Sequence, residues 1–347
     1  MKYNEQVLQG LLDLDWIDML SQENGFGSFQ RPTIQALTGI NMKGYVNMVQ
    51  HNADMPGLVL FTRPRLNLSY DNLGARRMLT PLMTDDPATY QRYIRDVLDP
   101  VGARRRPKNH HSLFFDEKSA FIPIMSNTLI SLPGWPDRAV GTYTTEPGNW
   151  QQEQSQYDGT DEVLNSFDLT ANFRNISGNM LLSMLGSWLT YGNGVYEGDI
   201  FPWPDAVVEN EMDYWTRIWR LVLDPTRKYV QQIGSTFAFP YSLPTGSIYN
   251  YEADALRGSD YHQFSVGFKC NIFEERDPIL IPEFNRTVAM FNPDMGDEYR
   301  TARLQKINDA DINYVNNACY PHIAEDGELE WWCDRDVYQR LVHGGKK

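Results

Sequence analysis

"SFDLTANFRNISGNMLLSMLGSWLTYG", residues 166–192, changes its period in the middle. In the first ten residues Phe167, Leu169, Ala171 and Phe173 alternate with Asp168, Thr170, Asn172 and Arg174. That alternation predicts a half-buried strand, one face apolar and one wet. From Ser177 the apolar residues fall at helical spacing: Met180, Leu181, Met184, Leu185, Trp188 and Leu189 form one stripe. Ser177 is a candidate cap and Gly192 a candidate stop. A helix packed on the sheet that its own strand enters, with Trp188 as its anchor, is the simplest reading.

Working outward, more strands are expected. Residues 212–239 read as two strands around an Asp224-Pro225 turn, and 261–275 as an alternating strand with Phe264, Val266, Phe268, Cys270 and Ile272 on one face. Residues 119–134 read as a strand ending in a Pro-Gly turn. "GLVLFTRPRLNLSY", 57–70, reads as an extended segment whose Pro64 belongs at an edge or bulge. Helices are expected over 4–20, an amphipathic pattern, and over 85–98, with Asp85 or Asp86 as cap and Pro87 in the first turn. Residues 99–112 look basic and loop-like. The fold class is therefore mainly β with some helix (α+β): an antiparallel sandwich or barrel with one packed helix.

With 347 residues the chain can bury a large core. Its net charge of −14 is the wrong sign for a protein that holds DNA by neutralising phosphates. Arg76-Arg77 and Arg104-Arg105-Arg106 with Lys108 are the few basic clusters, and ion pairing to acidic neighbours is their expected use. Cys270, Cys319 and Cys333 form no paired framework, which fits a reducing compartment. The acidic residues in "MKYNEQVLQGLLDLDWIDML" exclude a signal peptide or a membrane span there.

No GxSxG elbow, phosphate loop, HExxH or dinucleotide fingerprint occurs. His110-His111 are adjacent and so point apart. Cys319, His322 and Cys333 lack a fourth ligand and the spacing of a zinc site. Paired carboxylates of a glycosidase could hide among the many Asp and Glu, but an acidic solvated face explains them equally. Arg217 and Arg220 sit among aromatic residues, where stacking on rings is expected. No catalytic, cofactor-binding or metal residue is assigned, no cofactor is expected, and the chain reads as no enzyme.

The order of elements over 121–277, roughly half the chain, resembles the tail tube proteins of contractile-tailed bacteriophages. The resemblance rests on "FTRPRLNL" (61–68), "NTLISLPG" (127–134), "SFDLTANFRN" (166–175), "MLLSMLGSWLTYG" (180–192), "QQIGSTFAFPYSLP" (231–244) and "FSVGFKC" (264–270), in that order. It implies a tube-type β domain over 57–277 with an insertion at about 71–118, an N-terminal helical extension over 1–56 and a C-terminal extension over 278–347, wrapped on a neighbour. It implies a structural virion protein of the tail, assembled in the host cytoplasm. Such subunits form six-fold rings that stack, join strands into a continuous inner barrel, meet other tail proteins (tube, sheath, baseplate or neck) and let DNA pass without specific binding. Residues 245–260 would be an inter-ring or outer loop. The extensions suit a baseplate or neck ring as well as a main tube. The other reading is a receptor- or glycan-binding β protein of a virion, using Trp150, Trp203 and Trp331-Trp332 as stacking platforms.

Overall fold

The computed structural model describes residues 56–107, 110–161, 166–209, 211–246, 262–275, 277, 279–308, 310–311 and 319–343. The helix expected over 4–20, and all but the first two residues of the loop expected over 245–260, lie outside them. The first part of the chain holds strand β1 (Gly57–Phe61), helices α1 (Tyr70–Ala75), α2 (Tyr90–Leu98), α3 (Pro100–Arg105) and α4 (Pro123–Thr128), and strand β2 (Leu129–Ser131). A hairpin of β3 (Val140–Thr144) and β4 (Ser155–Asp161) follows, then β5 (Ser166–Arg174), α5 (Met180–Glu197) and α6 (Pro204–Val208). Next come three long strands, β6 (Thr216–Leu223), β7 (Val230–Ser242) and β8 (Gln263–Glu275). The chain closes with α7 (Leu280–Phe291), α8 (Asp297–Arg303), β9 (Leu304–Lys306), β10 (Tyr320–Ile323), β11 (Leu329–Asp334) and α9 (Arg335–His343).

Six strands pair antiparallel in the order β1-β6-β7-β8-β5-β2 and curl into a half-barrel. The alternation in 166–174 is realised: Leu169, Ala171 and Phe173 are fully buried. They join Phe61, Ile218, Ala238, Val266, Phe268 and Cys270 in one core, closed by Leu181, Met184, Leu185 and Trp188 of α5 and by Leu73, Ile94 and Val97 of the helical segment. The opposite face carries a second core at the β1–β6–β7 end alone. There Leu60, Trp219, Leu221, Val230 and Ile233 meet Leu280, Phe284, Val288 and Phe291 of α7 and Tyr320, Ile323, Leu329 and Trp332 of β10 and β11. The last part of the chain thus packs on its own sheet, where the sequence had suggested a neighbour's.

Several local expectations need correcting. Residues 119–134 hold a helix and a three-residue strand. Pro123, which cannot donate to a ladder, has a φ suited to the first helical turn. Residues 100–105 are helical because Asp99 caps them, accepting from Gly102 N (2.7 Å), and Pro100 stands at the first position. Helix α2 begins later than expected, capped by Thr89, which accepts from Arg92 N. Asp86 instead closes a turn onto Ala88 N (3.0 Å). Helix α5 runs past Gly192 and ends at Gly198, whose φ of 81° is left-handed. Its cap position is Asn179, not Ser177. Gly194 stays inside the helix because Ile200 fills the space of its side chain: a Cβ would lie 2.5 Å from Ile200 Cδ1. Ile272 leaves the core face of β8. It has φ 58° and is skipped in the ladder between Phe237↔Asn271 and Thr236↔Phe273, a bulge that turns it outward.

Arg63, from the "FTRPRL" string, is buried at the junction of both cores. Its guanidinium donates to the carbonyls of Val97 (2.9 Å), Asp96 (2.6 Å), Glu117 (2.9 Å) and Ser119 (3.1 Å). It lies between the rings of Phe115 and Phe291, 4.8 and 5.3 Å from their centroids. Burial pulls its pKa down to about 10, so it remains charged at neutral pH.

Tyr191 of α5 is the second buried polar junction. Its hydroxyl donates to the Asp213 carboxylate and accepts from Asn67 N (3.1 Å). Burial pushes Asp213 up to about 6. A carboxyl that binds its proton more tightly folded than unfolded adds stability at low pH, and that part is lost as pH rises from about 4 to about 6. His322 acts in the opposite sense. Burial, and then Arg300, pull it down to about 4, so its contribution is present above about 6.5 and lost on acidification.

Three outcomes are expected in urea or thermal unfolding. Trp188 is buried and donates Nε1–H to Tyr214 C=O (2.8 Å), so Trp188→Ala should cost about 3–5 kcal/mol and Trp188→Phe visibly less. Arg63→Met keeps the stem but strands four carbonyls, and should cost about 3–5 kcal/mol. Asp213→Asn should remove a pH-dependent component of about 2–3 kcal/mol between pH 4 and 6; parallel stability–pH curves for wild type and variant across that window would refute the raised carboxyl.

Candidate assembly surface

The register of β5 against β8 builds a surface on the face away from the first core. It sets Ser166, Asp168, Thr170, Asn172 and Arg174 beside Asn271, Lys269, Gly267, Ser265 and Gln263. These side chains are exposed or half-buried, because α7 and the β9–β11 sheet cover only the β1–β6–β7 end of this face. Lys269 Nζ lies 3.1 Å from Asp168 Oδ1. Asn172 donates to Ser131 Oγ (2.7 Å) and accepts from Ser265 Oγ (2.5 Å). One carboxylate faces two cations, and the rest is hydroxyl and amide. The surface is hydrophilic and close to neutral. The Tyr241 ring lies flat over Gly267, where a Cβ would come within 2.9 Å of it.

At the covered end the charges are consumed internally. Arg217 stacks between Trp219 and Phe237 (4.2 and 4.9 Å) and pairs with Glu274 and Glu283, both at 2.6 Å. The stacking expected for Arg217 is present, and two carboxylates neutralise it. The basic clusters are spent in the same way. Arg76 pairs with Glu197 and with Asp199 (2.8 Å). Arg104 donates to Met290 C=O (2.9 Å), Arg105 lies over Trp203 (4.6 Å), and Arg106 pairs with Asp96 (2.9 Å) and Asp99 (2.6 Å). Arg77 stays exposed, and Lys108 lies outside the described residues.

His110 faces Asp85 (3.6 Å), while His111 pairs with Glu117, so the two imidazoles turn to different partners. His322 lies beside Glu330, its Nδ1 3.6 Å from the carboxylate. Among the described residues no group of three or more His, Cys, Asp or Glu is placed to hold a metal ion. Of the four tryptophans that could stack on a sugar, Trp203 donates to Leu66 C=O and Asp99 (both 3.2 Å), Trp332 is buried and Trp331 half-buried. Trp150 alone is open, 85% exposed at the tip of the β3–β4 hairpin.

That hairpin was not foreseen. Residues 140–161 carry no apolar face: Tyr143 and Tyr157 are exposed on opposite sides, the latter to 84%. Periodicity reports strands through burial, so a strand pair with two wet faces is silent. A usable signal was the alternation of "VGTYT" and the glycine and proline between the strands.

Comparison with known proteins gives one family match and partial likenesses to solved structures. A family described as "Putative phage tail tube protein" matches residues 9–346. Three solved structures are similar to parts of the chain. One is the sheath-tube complex of an extracellular contractile injection system, PVC, in the extended state (14% identity, 45% of this chain and 82% of that one, TM-score 0.27). Another is the anti-feeding prophage cap, a tube terminating cap (13%, 47% and 83%, TM-score 0.25). A third is the sheath/tube terminator of the PVC system in the extended state (12%, 45% and 87%, TM-score 0.25). No curated protein matches. Because the family match runs over almost the whole sequence, the chain belongs to the phage tail tube protein family and is a structural tail protein.

Proposed function

We propose that this chain assembles into six-fold rings that stack as the phage tail tube or as a specialised ring at one of its ends, forming a conduit for DNA ejection. The observation that carries the reading is the half-covered sheet. One half of the outer face is closed by the chain's own C-terminal elements, and the other half is left hydrophilic and nearly neutral. Turned to a lumen, such a face offers phosphates few fixed cations, and DNA can slide along it without releasing counterions. Lys269 is already paired with Asp168 there.

The hairpin supports self-association from another side. A lone two-stranded hairpin is marginal in water, and this one has no packed face of its own. Docked on a neighbouring copy it would gain a third strand or a surface for Tyr157 and Trp150. The partners on this reading are further copies, then tube, sheath, baseplate or neck proteins, in a virion tail assembled in the host cytoplasm. No catalysis and no cofactor is part of it. No described helix is long and apolar enough to cross a membrane. Glycan binding is less favoured, because of the four tryptophans considered for it only Trp150 is open to act as a platform.

Electron microscopy of the purified protein, with its mass in solution, should give six-fold rings or short tubes with an open centre. Replacing residues 140–161 by a short Gly-Ser linker should abolish these while leaving the unfolding midpoint within a few degrees. Assembly unaffected by that deletion would remove the hairpin from the interface. A wild-type monomer at high concentration, with or without tube partners, would overturn the ring reading.

A further inference from the structure

Two of the three cysteines meet across the C-terminal hairpin. The β10–β11 register pairs Tyr320 with Trp332, so the next pair outward is Cys319 and Cys333. Trp331 C=O accepts from Ile307 N (2.8 Å), which points the backbone groups of Trp331, and of Cys333 two residues on, toward β9. Cys333 is therefore at a non-hydrogen-bonded position toward β10. Opposed residues at such positions have Cα atoms about 4.5 Å apart, inside the disulfide span of about 4.4–6.8 Å. Both cysteines belong to one small cluster with Ile307, Trp331 and Tyr338, beneath α9. Neither is in a disulfide in this structure.

We propose that Cys319 and Cys333 are a redox pair that a small-molecule disulfide converts to a cross-strand disulfide, locking the β10–β11 hairpin under α9. The half-buried Cys319 reacts first. Its thiolate attacks one sulfur of the oxidant, the oxidant's S–S bond breaks, and one thiol leaves. Cys333 then gives its proton to solvent base and attacks Cys319 Sγ, expelling the second thiol. Two electrons pass from the cysteines to the oxidant, which ends as two thiols. Burial pushes the Cys333 thiol up to about 12, with Cys319 and Asp334 adding to the shift, so the second step is slow at neutral pH. A reducing cytosol keeps the pair open, and an oxidising exterior closes it. Cys270 is buried in the first core, far along the chain from both, and serves as the internal control.

The test uses the full chain and oxidised glutathione, followed by alkylation in denaturant, tryptic digestion and mass spectrometry. Residues 307–335 contain both cysteines and no internal Lys or Arg, so one peptide reports the bond. After oxidation it should be two hydrogens lighter than the dithiol and take no alkyl group, while the Cys270 peptide is alkylated. Cys333→Ser should stop at a glutathione adduct on Cys319, and Cys270→Ser should leave the bond unchanged. In glutathione redox buffers the folded chain should hold the bond against more reduced glutathione than the urea-unfolded chain, because the register holds the two sulfurs together. Two alkyl groups on the peptide after oxidation, disulfide-linked dimers, or equal resistance to reduction folded and unfolded would each overturn the proposal.

Discussion

Both cores of this protein depend on one buried cation. Arg63 leaves β1 and ends among four backbone carbonyls that belong to the end of α2 and to the loop before α4. A guanidinium can satisfy so many acceptors because its donors form a rigid planar fork. The two rings beside it come from different parts of the chain, Phe115 from the loop after α3 and Phe291 from the end of α7. The helical segment and the C-terminal elements are thereby fixed to the same point of the sheet. Arg104 reinforces the junction by donating to the last carbonyls of α7, Met290 and Phe291, where a helix leaves its acceptors unpaired. The negative ends of two helices thus face cations that the sequence showed only as a basic stretch and an isolated Arg-Pro.

The sequence was informative where burial is periodic. Strands β5 and β8 bury alternate residues and α5 buries one stripe, so their patterns stand out; β6 and β7 bury residues on both faces, where the two cores meet, and read as strands through their β-branched and aromatic content. The family resemblance came from these same elements. What failed was governed by single residues whose partners lie far along the chain. Pro123 was read as part of a strand, although its missing N–H suits a helix start. Gly192 was read as a stop, yet the helix runs on to Glu197, Ile200 packs against Gly194 in its last turns, and the left-handed Gly198 ends it. Ile272 continues an apolar alternation, and only pairing with β7 shows that the ladder skips it. The assembly surface was legible as a wet face of β5, but its partner residues and the cover over the other half were not. Both depend on register and on α7, which no local pattern reports.

Covering one half of the sheet sets the electrostatics of the other. The chain is acidic overall, yet its described basic groups are largely held by carboxylates or rings within the fold. What remains on the open half is short, polar and balanced. Lys306 shows the same economy in the C-terminal sheet, held by Glu328 (2.7 Å) and Glu330 (2.9 Å). Exposed pairs of this kind add little stability, so their consequence is mainly the field they cancel.

On the proposed ring reading, subunits must avoid indiscriminate strand pairing before they assemble, and the sheet edges are built accordingly. The β1 edge is closed at its C-terminal end. Phe61 C=O accepts from Ile122 N (2.9 Å), Ala120 C=O accepts from Arg63 N (3.0 Å), and Pro64 then ends the extended run. The other edge strand, β2, has three residues and an irregular register. Beyond it Thr170 N donates to Pro133 C=O (3.1 Å), and Gly134 comes so close that a Cβ would lie 2.5 Å from Asp168 C=O. Short, bulged or plugged edges resist indiscriminate strand addition. Specific association is then expected through features other than edges, and the hairpin and the uncovered half of the sheet are two that the described residues offer. Both are largely polar, although the hairpin exposes Trp150 and Tyr157. In the ring proposed above, specificity would come from the sum of many weak, geometrically matched contacts, which repeated neighbours supply and a chance encounter does not.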